Sequence, residues 1–301
     1  MRSLLGARAD RSGTMGPMSF TLTIRQPTSD PLSLADLRRE VGLEVEALDG
    51  LDPERPIGGL VKVYLPKRSS RSVELEIEPV QANVRILSAS TLDDHDLAIR
   101  LAKAVAEHRG AAVVAPEGGD PVPLAELGAR YGPAWAADEV ESAGRTVATM
   151  IDRYPGRLIS LDGPVRRFEA GPGLLARLSA AGPRETLGAR LVEAIRASQW
   201  LPPHREASLL EVSRDHEGLP PARLAVLSPG GRTLLPGVDA IVPWDPSGPM
   251  RYVRPTDLAQ LLGDRAHFVD ERRLVVEPVP EAEWAELISA AAGWSVELEA
   301  L

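Results

Sequence analysis

Between residues 154 and 183 the chain meets a glycine or proline at about every third position: Pro155, Gly156, Gly163, Pro164, Gly171, Pro172, Gly173, Gly182 and Pro183. Proline removes a backbone donor and locks φ, while glycine loses the most freedom on ordering, so no long helix or strand survives such spacing. This predicts a Gly/Pro-rich neck over 155–183. It separates an N-terminal domain, 18–154, from a C-terminal domain, 184–301, with 1–17 as a disordered leader. A length of 301 residues fits two domains of ~100–200 residues each.

Periodicity on either side of the neck predicts an α+β fold: two mixed sheet-and-helix units. Val73-Glu74-Leu75-Glu76-Ile77-Glu78 alternates strictly, the mark of a strand with one wet face. Phe20–Ile24, Leu60–Leu65 and Asn83–Leu87 read as further strands, with polar Pro66–Ser72 as a hairpin connection. Ser33 before Leu34, Leu37 and Val41 predicts a short helix that Gly42 ends. Asp93 or Asp94 is expected to cap a longer helix stopped by Gly110, and 133–154 reads as another. A strand is expected at 111–115 and brief ones at 157–161 and 165–168, then a helix at 186–200. The remainder reads as strands at 207–213, 222–228, 238–242, 251–254 and 274–276, with helices at 255–262 and 281–292. Regular strand–helix alternation is lacking, which argues against a doubly wound sheet.

Residue types exclude several chemistries. Cysteine is absent, so disulfide scaffolds, thiolate metal sites and cysteine nucleophiles are excluded. A net charge of −9 argues against a nucleic-acid partner, which favours a basic face. No apolar run approaches the ~20 residues of a membrane span, and the leader lacks the apolar core of a secretory signal. A cytoplasmic protein is expected. Lys62, Lys67 and Lys103 are the only lysines against 31 arginines, a ratio that points to a high-GC bacterial genome.

No catalytic or cofactor residue is assigned. The phosphate-loop pattern, G-x-S-x-G and H-E-x-x-H are all missing, and His216-Glu217 runs into Pro220-Pro221, which stops a helix. Gly171-Pro172-Gly173-Leu174-Leu175-Ala176 matches G-x-G-x-x-A in form. Pro172 occupies the tight turn of such a site, and Glu193, at the acidic position, falls in a predicted helix, so it reads as a turn opening a short helix. Asp93-Asp94-His95-Asp96 reads as helix-start capping rather than a metal site, since carboxylates are favoured at the free N–H groups there. His108 lies on the apolar stripe of its helix. Asp264, His267 and Asp270 straddle a strand and share no face.

Partner contact is the better-marked property. Glu74, Glu76 and Glu78 project from one strand face at ~7 Å intervals, a row suited to a protein partner with a basic surface. Trp244, in the Pro-pinned loop Val242-Pro243-Trp244-Asp245-Pro246, is a second candidate contact. Gly237-Val238-Asp239-Ala240-Ile241, Arg251-Tyr252-Val253 leading into 255–262, Leu274-Val275-Val276 and a closing helix with Trp284 resemble the C-terminal region of bacterial immunity proteins that neutralise polymorphic toxins. The resemblance implies an acidic, cytoplasmic, non-enzymatic α+β module. The expected function is therefore protein binding, toxin-neutralising or secretion-associated. An enzyme or small-molecule sensor with its site between the two units is the alternative.

Overall fold

The computed structural model describes residues 19–27, 30–214 and 220–301. The expected leader and His216 lie outside them. The fold is α+β, and contacts divide it into two units. Unit 1 runs to Pro155 and resumes over Leu178–Arg196; unit 2 comprises Gly156–Arg177 and Ala197–Leu301.

Unit 1 begins with β1 (Ser19–Ile24), α1 (Leu34–Val41), β2 (Glu46–Ala47), β3 (Gly59–Tyr64), β4 (Val73–Ile77) and β5 (Ala82–Leu87). It continues with α2 (Leu92–His108), β6 (Val113–Pro116), β7 (Val122–Pro123), α3 (Leu127–Arg130) and α4 (Pro133–Arg153). The seven strands form one sheet in the order β2-β3-β4-β5-β1-β6-β7, antiparallel at every pairing. An antiparallel sheet can leave one face to water, and the alternation shows which. Leu22, Val84, Leu75 and Val61 align across four strands and join one core with Leu34 and Leu37 of α1 and Leu97 and Leu101 of α2.

Helix ends follow local chemistry. Ser33 Oγ accepts from the Asp36 N–H at 3.1 Å while the Asp36 carboxylate accepts from the Ser33 N–H at 3.0 Å, a reciprocal cap. The Ser33 hydroxyl, which also donates to this carboxylate, then the Ser33 N–H and the Arg39 guanidinium hold the Asp36 carboxyl down to about 2. Gly42 closes α1 at φ +67°, a conformation few other residues adopt. At α2 the expected cap is corrected. Thr91, not Asp93 or Asp94, is the N-cap: its side chain accepts from the Asp94 N–H, and Asp94 returns the bond from the third helical position.

The 155–183 stretch holds more order than a linker. It carries β8 (Ile159–Asp162), β9 (Arg167–Ala170) and α5 (Pro172–Ala180), and α6 (Leu187–Gln199) follows. β8 and β9 pair antiparallel around a turn in which Gly163 N–H donates to Arg166 O. The glycines and prolines thus punctuate short elements. Most of α6, expected with the C-terminal domain, belongs to unit 1.

Unit 2 continues with β10 (Arg205–Glu206), β11 (Ser208–Val212), β12 (Ala222–Leu227), β13 (Thr233–Leu235), β14 (Ala240–Pro243) and β15 (Tyr252–Val253). Then come α7 (Pro255–Leu262), β16 (Ala266–Phe268), β17 (Leu274–Val276), α8 (Glu281–Ala291) and β18 (Ser295–Val296). A five-stranded sheet, β11-β12-β14-β15-β18, and a four-stranded one, β10-β13-β17-β16, contribute to a core with Leu258 of α7 and Trp284 and Leu287 of α8. Among the described residues no helix is long and apolar enough to cross a membrane.

Candidate functional site

The polar face of the unit 1 sheet carries the predicted glutamates, with a change of meaning. Lys62, Glu74, Arg85 and Thr21 lie in one cross-strand row, and Leu60, Glu76, Asn83 and Thr23 in the next. Glu74 therefore sits between two cations, 3.6 Å from Lys62 and 3.3 Å from Arg85, with its side chain 13% exposed. Glu76 accepts from Asn83 Nδ2 at 2.9 Å. Glu78 leaves the row: β4 ends at Ile77, and the Glu78 N–H turns to Gln81 O. The naked strip of three charges becomes a recess of about 430 Å³ in which Glu74, Glu76 and Glu117 share the lining with Arg85, Asn83, Thr21 and exposed Leu60. Trp244, in unit 2, is 51% exposed, and its carbonyl accepts from Trp284 Nε1 at 2.9 Å. Its ring faces solvent while its backbone is tied to α8.

The acidic run at the start of α2 scatters rather than converges. Asp93 binds Arg68, Asp96 binds Arg100 at 2.8 Å, and Asp94 turns inward. Asp94 Oδ2 accepts from the N–H groups of Thr91 at 2.8 Å and Ser70 at 3.1 Å. Complete burial pushes its carboxyl up, against hydrogen bonds from Ser69, Thr91 and Arg71 that pull it down. The 66–72 segment, expected as a polar hairpin connection, holds Ser69, Ser70 and Ser72 in the interior, where the Asp94 carboxylate gathers it through Ser70 and Arg71. No group of three or more His, Asp or Glu that could hold a metal ion occurs among the described residues.

The G-x-G-x-x-A segment opens α5. The N–H groups of Gly173 and Leu174 donate to the Glu271 carboxylate, so a side chain of unit 2 occupies the donors a phosphate would need. Asp270, fully buried, accepts from the backbone N–H groups of Arg272 and Arg273 and pairs with the Arg273 guanidinium. It staples its own loop, while His267 lies on an exposed strand position.

His95, read only as part of the capping run, lies 5% exposed on a recess of about 210 Å³. Its Nδ1–H donates to Thr91 O at 2.7 Å, and its ring meets Trp135 edge-on at 5.3 Å. Burial lowers its imidazole pKa, outweighing the Thr91 bond. Ser19 and Phe20 of β1, Ser88 and Ala89 of the β5–α2 turn, and Glu139, Ser142 and Thr146 of α4 complete the walls. Ala89 stands at φ +64°, a strained setting for a residue with a Cβ. Desolvation first, and Asp138 beside it second, push the Glu139 carboxyl up. Sequence reasoning missed Glu139, Ser142 and Thr146, although their spacing of three and four marks one helix face. Comparison of the chain with family models, curated proteins and solved structures finds no match.

Proposed function

We propose that this chain is a non-enzymatic protein-binding module whose docking face is the polar side of the unit 1 sheet. Its partner is a protein with a basic surface. One observation carries this reading: Glu74, Glu76 and Glu117 gather in a single open recess with one arginine among its lining residues. Lys62 and Arg85 are both engaged with Glu74, while Glu76 and Glu117 make no ion pair among the described residues. Such a surface steers a basic partner and raises its association rate more than its final affinity. Neutralising a toxin, the role implied by the C-terminal resemblance, is one form of this reading, and a secretion-associated role is another.

The test is a photo-crosslinking residue placed at Leu60, which is 58% exposed on that face. Adducts with a basic protein are expected, and Glu76→Lys/Glu117→Lys is expected to reduce their yield by about tenfold, ~1.4 kcal/mol of association free energy. An adduct yield unchanged by the double reversal overturns the docking face. Glu74 is left in place, since Glu74→Lys would set three cations side by side and test folding instead.

A further inference from the structure

The recess beside His95 has a chemical bias of its own. Its polar lining consists of Ser19, Ser88, Ser142, Thr146, His95 and Glu139, with no lysine or arginine. His95 has spent Nδ1 on Thr91 O, so Nε2 is an acceptor, and burial favours the neutral ring. Thr146 donates its hydroxyl to Ser142 O at 2.9 Å and offers lone pairs only. Glu139 makes no ion pair among the described residues. The acceptors of His95, Thr146 and Glu139 thus share a partly desolvated space with three serine hydroxyls that can donate or accept, without a matching cation in the lining and beside Phe20.

We propose that this recess binds a small organic ammonium ion, its N–H groups donating to the Glu139 carboxylate and to Nε2 of His95, its alkyl portion against Phe20. An anion would meet the Glu139 carboxylate with no compensating cation. A neutral alcohol has one proton to donate where an ammonium has three and carries no charge to offset the carboxylate. Aromatic faces also attract cations. A space of about 210 Å³ lies below the ~300–1,000 Å³ of sites for drug-sized ligands, so the occupant is small. This site is separate in its lining from the recess that holds Glu74 and Glu76, apart from Ser19, and stands whether or not that face docks a protein.

The test titrates the full chain with n-butylammonium chloride, with n-butanol and sodium butyrate as neutral and anionic counterparts, at constant chloride. The readout is the NMR shift of the His95 ring protons, assigned by their loss in His95→Gln. A saturable shift is expected with butylammonium, one at least about tenfold weaker with butanol, and none with butyrate. Glu139→Gln, on the exposed side of α4, is expected to keep the fold and to weaken butylammonium binding by about tenfold or more. Equal binding of butylammonium and butanol overturns the proposal. So does an undiminished affinity in a folded Glu139→Gln, or the absence of any saturable shift.

Discussion

The imidazole of His95 is a buried base whose useful form is the uncharged one. Its pKa lies below the ordinary 6.5 because burial penalises the imidazolium more than the Thr91 carbonyl stabilises it. The unfolded chain then takes up a proton more readily than the folded one. The stability this confers is complete above the ordinary value and is lost as pH falls through the folded one. Calorimetry between about pH 7 and about pH 5 is expected to show the melting temperature falling on acidification, with the slope reduced in His95→Gln. An unchanged slope in that variant would assign the loss to other groups. Beside it, Asp94 shows why the cap of α2 was misplaced. Three acids follow Thr91 within five residues, and any of them suits a helix start. Only the backbone conformation at 91, φ −69° and ψ 167°, identifies the residue that precedes the helix.

At the scale of elements, α4 and α6 meet through a pair of glycines. A Cβ on Gly144 would stand 2.3 Å from Gly188 Cα, and one on Gly188 2.3 Å from Val140 O. The Glu141 carboxylate accepts from the Gly188 and Ala189 N–H groups at 3.0 and 3.1 Å, pinning the first turn of α6 to α4. Gly144→Ala replaces glycine by a better helix former, yet it must force two backbones apart, and overpacking costs ~1–3 kcal/mol. Urea denaturation is expected to show a net loss of that order, with hydrogen exchange rising in α6 first. A stabilised variant would mean the helices separate freely. Elements themselves were readable wherever one periodicity ruled. β4 is near the expected 73–78, and α7 matches 255–262, since alternation and an N-terminal proline are local signals. Pairings were not readable, because the choice of β1 as neighbour to both β5 and β6 depends on distant partners. The Glu74 row shows the consequence: period 2 placed the glutamates on one face, but only register set Lys62 and Arg85 against Glu74. Likewise the polar face of α4 at 139, 142 and 146 carries no motif, and becomes a wall only when β1 and α2 supply the opposite side.

For the whole molecule, the chain passes between units at 155–156, 177–178 and 196–197. A neck of breakers was legible; its use as a double crossing was not, because glycine density says where elements stop and not which core they join. The division has a direct test. A fragment 19–155 lacks α6 and leaves Gly144 and Glu141 of α4 without their contacts. A fragment 19–199 retains them. The longer fragment is expected to melt cooperatively and the shorter more than about 4 °C lower, both followed by far-UV circular dichroism. Equal melting temperatures would remove α6 from unit 1.

The position of β1 also sets a timetable. Its partners follow far along the chain: Thr23 waits for Asn83, 60 residues later, to supply its hydroxyl's partner, and Leu22 and Thr23 wait longer still for Pro116 and Ala115. At ~5–20 residues per second of synthesis, that is an interval of several seconds. Throughout it, Phe20, Leu22 and Ile24 travel without the strands that will pair with them and cover them.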